Sequence, residues 1–256
     1  MSGTLRVIYE DNHVLGVMKP AGMLSQGDKT GDITALDLAR RYIKETRAKP
    51  GNVFLGPVHR LDRPVSGVMI FARTSKAASR LSQSFHDRRV EKRYLCVVSG
   101  IVADDEGELT ALIERTHRRS RIAAAPSDRS KEAALGFRVL ARSAHNEKDP
   151  GCGPAGRPAT RRDSASMSLL EVMPRTGRHH QIRLQLAEAG HPIRGDLKYG
   201  AVTPLADKSI ALHAARLRVP HPVRDEIIDL FAPPVLHGPW NEFAKAIGSL
   251  FPPAPE

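Results

Sequence analysis

Cysteine is nearly missing from this chain: Cys96 and Cys152 are the only two. They can build neither a disulfide framework nor a CxxC metal knuckle. Cys96, inside the apolar run YLCVV, reads as a small buried hydrophobe. No apolar run approaches the roughly 20 residues that a membrane span needs. The opening stretch MSGTLRVIYEDNH lacks the basic-then-apolar layout of a signal peptide. The expectation is a cytoplasmic protein without membrane contact. Also missing are GxxxxGK, GxGxxG, HExxH and GxSxG. Their absence argues against an NTPase, a dehydrogenase, a zinc protease and a serine hydrolase. Residues 141–166 hold no Val, Ile, Leu, Met or aromatic residue, and they carry DPGCGPAGRP. Such a segment has no apolar area to offset its ordering entropy, so a mobile insertion is expected there.

The 256 residues are 41% hydrophobic, enough for a substantial core and one large domain or two small ones. Lys and Arg total 39 against 28 acids, a formal charge of +11. That excess favours a polyanionic partner but fits equally a soluble basic protein with none. Residues 115–131, RTHRRSRIAAAPSDRSK, concentrate it, with six cations against Asp128.

LRVIYEDNHVLGVMKPAG reads as a hairpin: Leu5, Val7 and Tyr9 alternate, Glu10 to Asn12 turn, and Val14 to Met18 return. DITALDLARRYIKE reads as a helix, with Asp32 as cap and Ile33 on its apolar stripe. VMIFA has strand length, and Pro64 and Gly67 place 63–67 outside regular structure. TSKAASRLSQSF is helical, with Ala77, Leu81 and Phe85 at four-residue spacing. RYLCVVSG, SMSLLEVMP and LHAARLRV read as strands, and WNEFAKAIGSLF as a closing helix. In RTGRHHQIRLQLAEAG a turn leads into a helix that Gly190 stops. No regular βα repeat emerges, which predicts an α+β fold with a largely antiparallel sheet.

Three clusters carry possible chemistry. Asp62 stands between Arg60 and Arg63 in VHRLDRPVSG, just before the apolar run. It is either a structural ion pair or a carboxylate kept ionised for reaction. RTGRHHQIR offers Arg175, Arg178 and Arg183 around His179 and His180. On a continuous helix Arg183 and His179 would share a face. Its guanidinium groups could grip phosphate or clamp a carboxylate, or form a solvated basic face. Adjacent histidines lack the three- or four-residue spacing of ligands on one helix face, so no metal site is expected. Tyr94, in EKRYLCVVSG, is a strand tyrosine whose hydroxyl needs a partner if buried.

Taken together and in order, KPAG at 19–22, HRLDRPVSG at 59–67, KRY at 92–94, TGRHHQIR at 176–183, GHPIRGD at 190–196 and LHA at 212–214 resemble the RluA-type pseudouridine synthases. The resemblance spans about residues 5 to 235. It implies a mixed, mainly antiparallel sheet with flanking helices and a central cleft, in one catalytic domain over 1–256. It also implies an isomerase that converts uridines of a tRNA or rRNA stem-loop to pseudouridine, acting as a monomer without cofactor or metal. By position, Asp62 matches the catalytic aspartate. Tyr94 matches the active-site tyrosine that stacks on uracil, and Arg183 the arginine that pairs with the aspartate. Arg60 matches an arginine that fills the gap left by a flipped uridine. Arg178, with Arg118, Arg119 and Arg121 of the basic segment, is expected to bind RNA. An RNA-recruiting module before the catalytic domain is common in the family and is not expected here; residues 115–131 take over part of its role. Met18, Val65 and Gln185 depart from the common Asn, Thr and His of these motifs. A base-releasing hydrolase and a binding protein without turnover are the competing readings.

Overall fold

The computed structural model describes residues 5–47, 51–115, 120–144 and 166–251. They fall into two compact units, Met1–Arg93 with His213–Pro234, and Tyr94–Leu212 with Val235–Glu256.

The first unit opens with the expected hairpin, β1 (Arg6–Glu10) and β2 (Val14–Lys19). Its turn is held by Asp11, whose carboxylate accepts from His13 N–H and Val14 N–H, both at 2.7 Å. Burial pushes that carboxyl up, but these bonds and those from His221 and Tyr9 outweigh it and hold it near 2. α1 (Ala35–Thr46) starts later than the sequence suggests. Thr34, not Asp32, is the cap: its hydroxyl accepts from Asp37 N–H, and the Asp37 carboxylate accepts from Thr34 N–H. Asp32 instead pairs with Arg63 at 2.8 Å, and Ile33, expected on the apolar stripe, is 59% exposed. A short strand, β3 (Gly56–Pro57), leads to β4 (Ser66–Ala72), and α2 (Ser75–His86) follows, capped by Thr74. β4 pairs antiparallel with β2 and β3 and parallel with β10 (Leu212–Pro220), which also pairs antiparallel with β11 (Ile227–Phe231). One core gathers Val68, Ile70 and Ala72 of β4, Ala77 and Leu81 of α2, Leu217 and Val219 of β10, and Ile228 and Leu230 of β11. Met69 and Phe71, alternating with those β4 residues, are buried as well. A strand covered on both faces explains the unbroken apolar run VMIFA.

Ser66 and Gly67 belong to β4 rather than to the loop. Gly67 has φ +129°, and a Cβ there would lie 2.4–2.7 Å from backbone atoms of Ala214. The parallel bridge Gly67–Ala214 therefore requires glycine.

The second unit is an antiparallel sheet in the order β5 (Glu91–Ser99), β9 (Met167–Pro174), β8 (Ser130–Ser143), β6 (Glu106–Arg115), β7 (Ser120–Ile122). Its long central strands, β6 and β8, are half exposed and carry no continuous apolar run. β8 includes residues 141–143, so the segment expected to be mobile loses its first residues to a strand; Arg142 pairs there with Asp105. Residues 145–165 lie outside the described chain. α3 (Gln181–Glu188) packs on this sheet through Leu184, with Ile113, Ala133 and Tyr199. Buried Gln185 pins it further, its amide donating to the carbonyls of Leu109 and Ala133. α4 (Ala244–Leu250) follows a 3-10 turn over Gly238–Phe243. The architecture is the expected α+β, with mainly antiparallel sheet. Among the described residues, no helix is long and apolar enough to cross a membrane.

Candidate active site

In the first unit the Asp62 loop is fastened from several sides. Val65 N–H donates to Asp62 O at 3.0 Å and closes the turn around Pro64. The KPAG turn runs alongside: Gly22 N–H donates to Arg63 O at 2.8 Å, and Arg63 Nε donates back to Gly22 O at 3.0 Å. The Ser25 hydroxyl donates to Leu61 O at 2.7 Å and accepts from Leu61 N–H at 3.0 Å. On the other flank, His59 Nε2 accepts from Ile70 N–H at 3.0 Å while its ring stacks on Phe85, centroids 5.0 Å apart. Desolvation, helped by nearby Lys92, pushes its pKa down to about 3, so the imidazole is neutral. His213 Nε2–H donates to Ala232 O at 2.9 Å, leaving Nδ1 to accept from the Ser66 hydroxyl at 2.8 Å. Burial, opposed by the Ala232 bond, brings His213 to about 4, so this tie is also neutral and fixed. Backbone and side-chain bonds on both flanks thus hold Asp62 in place with little freedom.

The sequence puts arginines around Asp62; the structure adds a lysine that no motif singles out. Arg63 spends its charge on Asp32, and Arg60 is exposed. Lys19, the first residue of KPAG, has a fully buried side chain whose Nζ donates to the carbonyls of Pro20 (2.9 Å), Met23 (2.8 Å) and Arg63 (3.4 Å). Burial pushes its pKa down to about 7, with the charge of Asp62 pulling the other way. The signal that could have found it is a lysine closing a strand of buried residues, where the side-chain alternation points it inward.

In the second unit Tyr94 lies half-buried on β5, opposite Val172 of β9. Arg183 sits in the first turn of α3, 6% exposed. Its Nε and Nη2 donate to Asp196 Oδ2 and Oδ1 at 2.6 and 2.8 Å. The predicted pairing of Arg183 and His179 on one helix face does not form, because α3 begins only at Gln181. His180, at φ 57°, turns the chain just before it. The two imidazoles stack instead, centroids 3.7 Å apart. His179 Nδ1 is hydrogen-bonded to the Ser120 hydroxyl of β7, and His180 Nδ1 to the Tyr199 hydroxyl, each at 2.8 Å. The first of these bonds joins the strand of Arg121 to the TGRHHQIR turn. Arg121 pairs with Glu114, and Arg178 Nε donates to Glu132 O. Arg118 and Arg119 lie outside the described residues. Among the described residues, no group of three or more His, Cys, Asp or Glu side chains could hold a metal ion. Cys96 is buried, which pushes its thiol pKa far up and leaves it unreactive.

Residues 13–188 match the family model described as RNA pseudouridylate synthase. The tRNA pseudouridine synthase C of Haemophilus ducreyi is 33% identical over 254 residues, covering 95% of this chain and 96% of its own. The ribosomal large subunit pseudouridine synthase D of Xylella fastidiosa is 34% identical over 244 residues, covering 90% and 66%. Among solved structures, human RNA pseudouridylate synthase domain containing 4 superposes with a TM-score of 0.70 over 94% of this chain, at 20% identity.

Proposed function

The chain belongs to the RNA pseudouridylate synthase family and is an RNA pseudouridine synthase, and on that premise we propose that Asp62 is the carboxylate that drives its isomerisation. Breaking the N1–C1′ bond of uridine and forming C5–C1′ moves a proton off C5 and places one on N1. Substrate and product are isomers, so the reaction needs no oxidant or reductant. Asp62 either attacks carbon or takes the C2′ proton of the ribose. The target base must first leave its stack, and the pocket must keep water from trapping the detached base or sugar. Tyr94 stacks on the uracil, Arg183 serves the catalytic carboxylate, and Arg60 fills the gap in the RNA. Arg178, Arg118, Arg119 and Arg121 hold phosphates.

The observation that carries this reading is the fastening of the Asp62 loop by the KPAG turn, Ser25 and His213. A carboxylate in a merely structural pair needs no such mounting. The substrate is a structured RNA, a tRNA or an rRNA stem-loop; relatives bearing both kinds of name support that class. The two units act as one catalytic domain, as a monomer in the cytoplasm, with neither metal nor cofactor.

The test is turnover of transcripts labelled with tritium at uridine C5. Isomerisation releases the label to water and leaves RNA of unchanged backbone and a nucleoside of unchanged unlabelled mass. Free uracil with an abasic site would identify a hydrolase. Retained label with unaltered nucleosides would identify a binding protein.

A further inference from the structure

Arg183 does not stand alone on α3. A turn elsewhere in the second unit holds it. Residues 192–194 hydrogen-bond along β5, with Ser99 N–H to Pro192 O and Arg194 N–H to Val97 O, each at 2.9 Å. The chain then reverses at Gly195, φ +86°, where a Cβ would lie 2.8 Å from Ser209 O. Asp196 follows, 1% exposed, and its carbonyl accepts from both Tyr199 N–H and Ala201 N–H. This small closed turn presents two groups to one guanidinium. The Asp196 carboxylate takes Nε and Nη2 in a two-pronged bond, and the Tyr199 ring lies under the guanidinium carbon at 5.1 Å from its centroid. The Tyr199 hydroxyl is itself fixed by His180 Nδ1, one turn before Arg183 on the same chain segment.

A two-pronged carboxylate fixes the plane of a guanidinium, and a ring beneath it fixes its tilt. Burial removes the water that would otherwise compete for both. A simple phosphate grip needs none of this, since a flexible exposed arginine can follow its anion. We infer that Asp196 is a positioning residue of the isomerase: it acts through Arg183, setting the direction in which that guanidinium serves the reaction, with Tyr199 as its brace. The inference rests on the assignment of Arg183 to the catalytic machinery.

The experiment compares wild type with Asp196→Asn, Asp196→Glu, Arg183→Met and the double variant Arg183→Met/Asp196→Asn. Single-turnover rates are measured at saturating enzyme, alongside RNA dissociation constants. Asp196→Asn should slow pseudouridine formation by at least about tenfold, with RNA affinity within about threefold of wild type, because misaiming a group penalises rate rather than binding. The double variant should be no slower than Arg183→Met alone, since Asp196 has nothing left to aim. A purely structural Asp196 would multiply its loss onto that of Arg183→Met, and that result overturns the inference. If Asp196→Asn does not fold, Asp196→Glu decides. It keeps the charge and shifts the guanidinium by one methylene, so a folded variant at wild-type rate also overturns the inference. Loss in Arg183→Met without loss in Asp196→Asn removes only this proposal. Wild-type rate in Arg183→Met removes the catalytic assignment of Arg183 as well.

Discussion

Replacing Lys19 with methionine should change how the stability of the first unit depends on pH. The wild-type side chain is fully buried, and its pKa falls from the ordinary lysine value of 10.5 to about 7. Below pH 7 the folded and unfolded chains both carry the ammonium, and the folded chain bears the whole cost of burying it. Between pH 7 and 10.5 folding releases a proton, so the unfolded state binds more protons and stability rises with pH. Each unit of pH in that window is worth about 1.4 kcal/mol. Methionine fills similar space without a titrating group. Wild type should therefore gain on Lys19→Met by on the order of 2–3 kcal/mol between pH 7.5 and 9.5. Lys19→Met also leaves the carbonyls of Pro20, Met23 and Arg63 without this donor, a cost that does not vary with pH. Taking the difference between two pH values cancels it. The assay is urea unfolding of both proteins in half-unit pH steps, followed by the difference of the two curves. A constant gap would mean that Lys19 does not titrate in this window and that its three carbonyl acceptors outweigh its burial.

Gly67→Ala should destabilise the first unit by at least about 3 kcal/mol in urea unfolding, from backbone strain of about 1–3 kcal/mol plus the collision with Ala214; a loss below about 1 kcal/mol would show that β4 can shift away from β10. Replacing Arg118, Arg119 and Arg121 together by alanine should flatten the salt dependence of RNA binding, each lost phosphate contact lowering the log–log slope by roughly 0.7 to 0.9. Arg121 already pairs with Glu114, so its share should be smaller, and an unchanged slope would make the segment a solvated face. Deleting residues 146–163, which carry no large apolar side chain, should leave the melting temperature within a few degrees, and a larger fall would show that the segment is packed.

The strands with strong patterns were legible from sequence alone. The apolar run of β4, the YLCVV core of β5 and the hairpin around Asp11 all stand where expected. Edges and ends were less so. Asp32 and Thr34 are both cap-forming residues two apart, and only the reciprocal bond with Asp37 chooses Thr34. β6 and β8 escaped because half-exposed strands alternate weakly, and β11, IIDLF, because its exposed positions include Ile227 and Phe231. At the site, motif order pointed to Asp62, Tyr94 and Arg183, but not to their supports. In the sequence Lys19 and Asp196 stand only as members of the KPAG and GHPIRGD motifs. Their roles depend on contacts 44 and 13 residues away in the chain, which no local pattern encodes.

The catalytic role of Asp62 is tested most directly by Asp62→Ala, measured in single turnover at saturating enzyme with RNA affinity determined in parallel. If binding rests on arginine and lysine contacts to phosphate, as proposed, affinity should stay within a few-fold of wild type. Pseudouridine formation should be abolished, with tritium retained at C5. Turnover near the wild-type rate would take Asp62 out of the mechanism, and with it the reason its loop is so firmly held.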